Sequence, residues 1–136
     1  MPRIIAIDYG ARRCGLATTD PLQIIATALG TFEPGKLLEF LKDYFLKEEI
    51  AEIVVGLPVQ RDGNASDIEM EIQSFIEKLK IQHPTIPIKR MNEAFTSKLA
   101  KQSLIDSGVK KKDRRKKGLL DSVSATLILQ DYLASR

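Results

Sequence analysis

The feature that most constrains this chain is a four-residue apolar run, Ile4-Ile5-Ala6-Ile7, that stops on an acid, Asp8. The run is too short for a buried helix and rich in β-branched residues, so it predicts a central strand covered on both faces. Tyr9-Gly10 follows as a turn signal, and a second stretch, Cys14 to Thr19, begins shortly after. So short a connection joins antiparallel neighbours, a hairpin. A carboxylate is thereby placed at the C-terminal lip of a buried strand, where an unpaired charge is costly. Asp8 therefore has a cation nearby or holds a proton, unless it bonds the backbone of its own turn, a common use of Asp. Both readings stand on this stretch alone.

The remaining elements follow from periodicity. Ile24 to Phe32 predicts a third strand, broken by Pro34-Gly35. Lys36 to Glu49 carries Leu37, Leu38, Leu41, Phe45 and Leu46 at the spacing of one helical face. Ile53 to Gly56 predicts a fourth strand, closed by Leu57-Pro58, and a loop from Val59 to Ala65 turns at Asp62-Gly63. Ser66 and Glu69 form a capping-box pattern ahead of a helix bearing Ile68, Ile72, Phe75, Ile76 and Leu79. A connector from His83 to Pro87 leads to a fifth strand, Ile88 to Met91, with His83 read as a solvated loop residue. Two helices close the chain, Thr96 to Ser107 and Leu119 to Leu133. The order βββαβαβαα predicts an α/β fold with a mixed five-stranded sheet flanked by helices. The first three strands are antiparallel, and strands one, four and five are parallel through helical crossovers.

At 136 residues the chain is expected to form one domain, 1–136. A single cysteine, Cys14, excludes an internal disulfide and is read as a small apolar filler. No secretory leader pattern and no apolar run of membrane-spanning length is present, so a reducing, cytoplasmic setting without membrane contact is expected. The net charge of +3 hides an asymmetry. Lys110, Lys111, Lys112, Arg114, Arg115, Lys116 and Lys117 surround one acid, Asp113, for a local charge of +6 that leaves −3 for the rest. This localised basic run predicts contact with a polyanion; a solvated linker is the plainer alternative.

In open α/β sheets, ligands bind beyond the carboxyl ends of the parallel strands. The predicted topology brings the end of strand one, at Asp8, to the same edge as the end of strand five, at Asn92-Glu93. Asp121 shares a helical face with Ala125 and Ile128 in the last helix. Taken singly, Glu93 could cap the helix that begins near Thr96, and Asp121 could answer its own helix dipole. Together they would repel: two unit charges ~4 Å apart cost about 4 kcal/mol at an effective dielectric near 20. A retained proton or a divalent ion relieves that. Oxygen-only donors with no Cys or His beside them favour Mg²⁺ or Mn²⁺ over Zn²⁺.

At this point the residues resemble a known family. DYGARRCGLATTD is similar to the opening D-x-G-x-x-R-x-G-x-A of the YqgF family, Holliday-junction-resolvase-like proteins also described as pre-16S rRNA nucleases. The likeness continues through IVVGLP, a DG turn, NEAFTS and KKGLLDSVSATLILQDYL, over nearly the whole chain and in the same order. The resemblance implies a ribonuclease-H-like fold. It maps the catalytic, metal-holding acids to Asp8, Glu93 and Asp121, and a basic position to Arg13, a partner for phosphate or for the acids. It implies a metal-dependent phosphodiesterase leaving 5′-phosphate and 3′-hydroxyl ends, engaged in 5′-end maturation of pre-16S rRNA, as monomer or homodimer. A resolvase of branched DNA, or a non-catalytic RNA-binding protein with a relict site, are the alternatives. One segment departs: Asn92-Glu93-Ala94 stands where the family reads Asp-Glu-Arg, which removes one cation and leaves open a reduced activity or a shifted substrate. Arg90 is the nearest arginine in sequence.

Three neighbours of Asp8 complete the reading. Gly10 permits close backbone approach or positive φ. Arg12 is read as a surface residue. Tyr9 is read as a packing residue, with stacking on a base as the alternative.

Overall fold

A computed structural model of the chain describes residues 2–57, 67–92 and 117–135. Five strands, β1 (Arg3–Asp8), β2 (Cys14–Thr19), β3 (Ala26–Phe32), β4 (Ile50–Leu57) and β5 (Ile88–Asn92), form one sheet in the order β3-β2-β1-β4-β5. The pairs β1–β2 and β2–β3 are antiparallel, and β1–β4 and β4–β5 are parallel. Three helices are described: α1 (Pro34–Lys47), α2 (Asp67–Gln82) and α3 (Lys117–Ala134). The helix expected over 96–107 lies outside the described residues.

Alternation along β1 divides the core. Ile5 and Ile7 join Leu16, Ile53 and Val55 beneath Leu37 and Leu41 of α1 and Ile72, Phe75, Ile76 and Leu79 of α2. Ile4 and Ala6 face the other way and meet Ala17, Val54 and the Ala125-Ile128-Leu129 stripe of α3. The sheet is therefore buried on both faces, as the apolar run of β1 requires. Nearly every side chain in these two layers is withdrawn from water. Burial at roughly 25 cal/mol per Å² of apolar area is the main force holding the helices down.

Three local expectations are corrected. β3 begins at Ala26 rather than Ile24 because Asp20 organises a turn ahead of it. Its carboxylate accepts from the amides of Leu22 (3.1 Å), Ile24 (2.8 Å) and Ile25 (2.7 Å), which withholds Ile24 and Ile25 from the strand. Leu46 keeps the spacing of the apolar face of α1 yet is 81% exposed, because it falls in the last turn, beyond the sheet-covering part of the helix. His83 is half-buried and sits edge-on to Phe45, ring centroids 4.5 Å apart. Desolvation lowers its pKa, so it is packed rather than freely solvated.

Candidate functional site

The site is built from the carboxyl edge of the sheet. Asp8 is the last residue of β1, half-buried and engaged by a partner, and by alternation it lies on the face that carries α3. Its cross-strand neighbour on β2 is Gly15, and one step further in Ala6 pairs with Ala17. The hairpin thus presents only small residues beside the carboxylate on that face. The connection back to β2 is tight: a Cβ at Gly10 would collide with the carbonyl oxygen of Arg13. Close approach is what fixes glycine there, since Gly10 is not among the residues with positive φ. Arg12 is exposed, whereas Arg13 is half-buried and engaged.

The direction of α3 follows from its far end. The hydroxyl of Tyr132 donates to Glu52 Oε2 at 2.7 Å, near the start of β4. Eleven residues back along the helix is ~16 Å. Five residues on along β4, from Glu52 to Leu57, is also ~16 Å. Position 121 therefore lies level with the carboxyl edge, one turn before Ala125 on the stripe that packs against Ala6 and Ala17. Glu93 directly follows the last residue of β5 and lies outside the described residues, as do the side chain of Asp121 and residues 110–116 of the basic run. Lys117 opens α3. Among the described residues, no three His, Cys, Asp or Glu side chains meet in a metal-holding group.

Arg90 has a different role from the one its proximity to Ala94 suggested. Its neighbour across the ladder is Val55, which packs under α1 and α2, so Arg90 lies on the face opposite Asp8. Its guanidinium donates to the carbonyls of Val55 (Nε, 3.2 Å) and Gly56 (Nη2, 2.9 Å). It also forms a bidentate pair with Glu69 of α2, at 3.0 and 2.8 Å. Arg90 therefore does not replace the cation lost at Ala94; it clamps the ends of β4 and β5 to α2. Its hydrogen bonds hold the Glu69 carboxyl below its ordinary value, against the opposing effect of burial, with further help from Gln73. Sequence reasoning gave Glu69 to a capping box and missed this pair, since the partners are 21 residues apart. A lone Arg inside a strand that leads to the site was the available signal.

Tyr9 packs on one side and lines a cleft on the other. Its ring meets Phe75 of α2 with centroids 5.1 Å apart. Burial raises its pKa, with smaller contributions from Cys14 and Glu71, so the phenol stays protonated.

Two solved structures of Thermus thermophilus RuvC, one in complex with Holliday junction substrate, share this architecture. Their TM-scores are 0.59 and 0.53, at 15% and 13% identity, over 99% and 98% of this chain and 96% and 95% of theirs. The mixed sheet with helices on both faces is thus the ribonuclease-H-like α/β fold. A family model described as "RuvX: Holliday junction resolvase" matches residues 2–135. A relative from Flavobacterium psychrophilum is 48% identical over 136 residues, covering all of this chain and 99% of its own. One from Bacteroides thetaiotaomicron is 45% identical over the same length, again covering 100% and 99%. Both are named, provisionally, as pre-16S rRNA nucleases. The chain belongs to the RuvX family, also called YqgF.

Proposed function

We propose that the chain, as one domain over residues 1–136, is an endonuclease that hydrolyses phosphodiester bonds with a divalent ion, and that its substrate is the 5′ region of pre-16S rRNA. The observation that supports this is the placement of Asp8 and of position 121 at one sheet edge. Asp8 ends β1 on the α3 face, small residues flank it, and α3 runs back so that position 121 reaches the same edge. Glu93, two positions beyond Met91 on β5, is the third acid. The names of the relatives support the substrate class, and the RuvX description supports a nuclease.

The residues fit the ion. Asp8, Glu93 and Asp121 are hard oxygen donors suited to Mg²⁺ or Mn²⁺. When bound, such an ion lowers the pKa of water and neutralises charge that develops on the phosphate. Arg13 and the basic run from Lys110 to Lys117 hold the phosphate backbone; such contacts position a strand without reading its sequence. The cytoplasm, where rRNA precursors of bacteria are processed, is the setting this reading implies; no described helix is long and apolar enough to cross a membrane.

The experiment is incubation of the purified chain with pre-16S rRNA fragments and with four-way DNA junctions, in Mg²⁺ and in Mn²⁺, beside Asp8→Asn. Cleavage of the RNA that needs both the ion and Asp8 is the expected result. Junction cutting by a two-fold dimer would favour the second reading, a DNA resolvase, which the family description motivates. Binding without cleavage of either substrate would return the chain to a non-catalytic RNA-binding role, consistent with Ala94.

A further inference from the structure

A cleft of about 290 Å³ opens between α1 and α2 on the face of the sheet opposite Asp8. Tyr9, Pro34, Leu38 and Phe75 form its apolar walls, and Glu71, Ser74 and Lys78 stand around them. It lies at the carboxyl edge, since Tyr9 directly follows Asp8 and Pro34 opens α1 just after β3. We propose that this cleft is a nucleobase subsite that takes one unstacked base of the strand whose phosphate lies at Asp8. The proposal rests on the nuclease reading above and adds to it where the substrate leaves the metal edge.

Three observations carry it. The first is position. The Cα atoms of Asp8 and Tyr9 are ~3.8 Å apart, and alternation sends their side chains to opposite faces. A strand crossing this lip has its phosphate on one side and a base free to tip over to the other. The second is charge. One acid, Glu71, and one cation, Lys78, cancel at the cleft, which suits a neutral planar group and not a phosphate. The third is chemistry. The Tyr9 ring, held against the tilted and nearly buried Phe75 ring, offers an apolar face, and single-stranded RNA is read by stacking unpaired bases on aromatic rings and bonding their edges. The Glu71 carboxylate accepts, the Lys78 ammonium donates, and the Ser74 and Tyr9 hydroxyls can do either. A cavity just below the ~300 Å³ at which pockets for drug-sized ligands begin suits one base rather than a larger ligand. The phenol of Tyr9 remains protonated and keeps its donor.

The test uses the full chain and short RNA substrates in which an abasic nucleotide is moved one position at a time around the cleaved bond. Binding is measured with Asp8→Asn to prevent turnover. At one register the abasic substrate should bind about 5- to 150-fold more weakly than intact RNA, the loss expected of one stacked base. Adding Ser74→Leu, an exposed α2 position where the longer side chain fills the cleft, should weaken intact RNA to the same degree and abolish the dependence on that base. A melting temperature equal to that of the parent chain confirms that the fold is kept. A 4-thiouridine at the sensitive register should cross-link to a peptide containing Tyr9 or Phe75. A flat abasic scan on RNA that the wild type does cut overturns the subsite and leaves the nuclease reading intact. Undiminished sensitivity in the Ser74→Leu background does the same. If the wild type cuts neither RNA nor DNA, the nuclease reading fails and the subsite with it.

Discussion

The two faces of the sheet are buried by different means. Toward α1 and α2 the filling is large: Ile5, Ile7, Leu16, Leu37, Leu41, Ile72, Phe75 and Leu79. Toward α3, among the described residues, it is thin, with Ala6, Ala17 and Ala125 among Ile4, Val54, Ile128 and Leu129. Small side chains let a helix backbone approach a sheet closely, and a close helix is what short carboxylates need if they are to act together. The first face is built for cohesion. The second gives up apolar area for proximity, beside Asp8 and Gly15. On the proposed reading, stability and chemistry have separate addresses in one small fold.

The sharpest break of that contrast is Asp8→Asn. Cleavage should fall by more than the ~10- to 100-fold typical of losing a metal's outer-shell partner, while the melting temperature in chelator stays level or rises. Turnover at the wild-type rate would remove Asp8 from the site. Core substitutions separate the faces next. Leu41→Ala, under α1, should cost about 2–5 kcal/mol in urea unfolding and leave the rate per folded molecule nearly unchanged. Ala125→Leu should cost about 1–3 kcal/mol by overpacking and lower that rate at least tenfold, because it lifts α3 off Ala6 and Ala17. Equal rates in the two variants would mean that helix proximity plays no part in catalysis.

A smaller effect is expected at the clamp that ties the ends of β4 and β5 to α2. Arg90→Met leaves Glu69 largely buried without its cation and should cost ~1–3 kcal/mol. It should also change the response to acid. The Glu69 carboxyl sits below its ordinary value of 4.5 in the folded chain, so near that value the unfolded chain binds more protons. Its contribution is complete above the unfolded pKa and is lost as pH falls through the folded one. Unfolding curves from about pH 5 downward should therefore be steeper for the wild type than for Arg90→Met; parallel curves would assign the acid response to other groups. The smallest expected effect lies in the basic run. If about four of its cations contact single-stranded RNA, log K should fall with log salt at a slope of roughly −3. Replacing Lys110, Lys111, Lys112 and Arg114 with Gln should flatten that slope. An unchanged slope would make the run a solvated linker.

How much of this was legible depends on the range of the interactions. The β1–β2 hairpin, the order of the strands and the buried stripe of α3 are written as local periods, and the chain itself displays them. The place of Asp8 at the end of β1 was legible because the apolar run stops on it. The early limit of β3 was not, because the Asp20 carboxylate gathers three amides up to five residues away and no period reveals that. The role of Arg90 was open from the sequence, because its partners stand 21 and 35 residues away and on the face opposite Asp8. The cleft beside Tyr9 joins the end of β1 to two helices, and no single segment displays it.

The lateness of α3 in the chain has a consequence for synthesis. Every described strand is complete by Asn92, yet Ile4, Ala6, Ala17 and Val54 wait for the cover that α3 gives them, about forty residues on. At 5–20 residues per second, that is roughly 2 to 8 s in which a newborn sheet lacks α3 on that apolar face. During that interval the chain is a client for whatever shields nascent polypeptides. On the proposed reading it also cannot yet cut RNA, because the segment that covers the sheet is the one that carries Asp121.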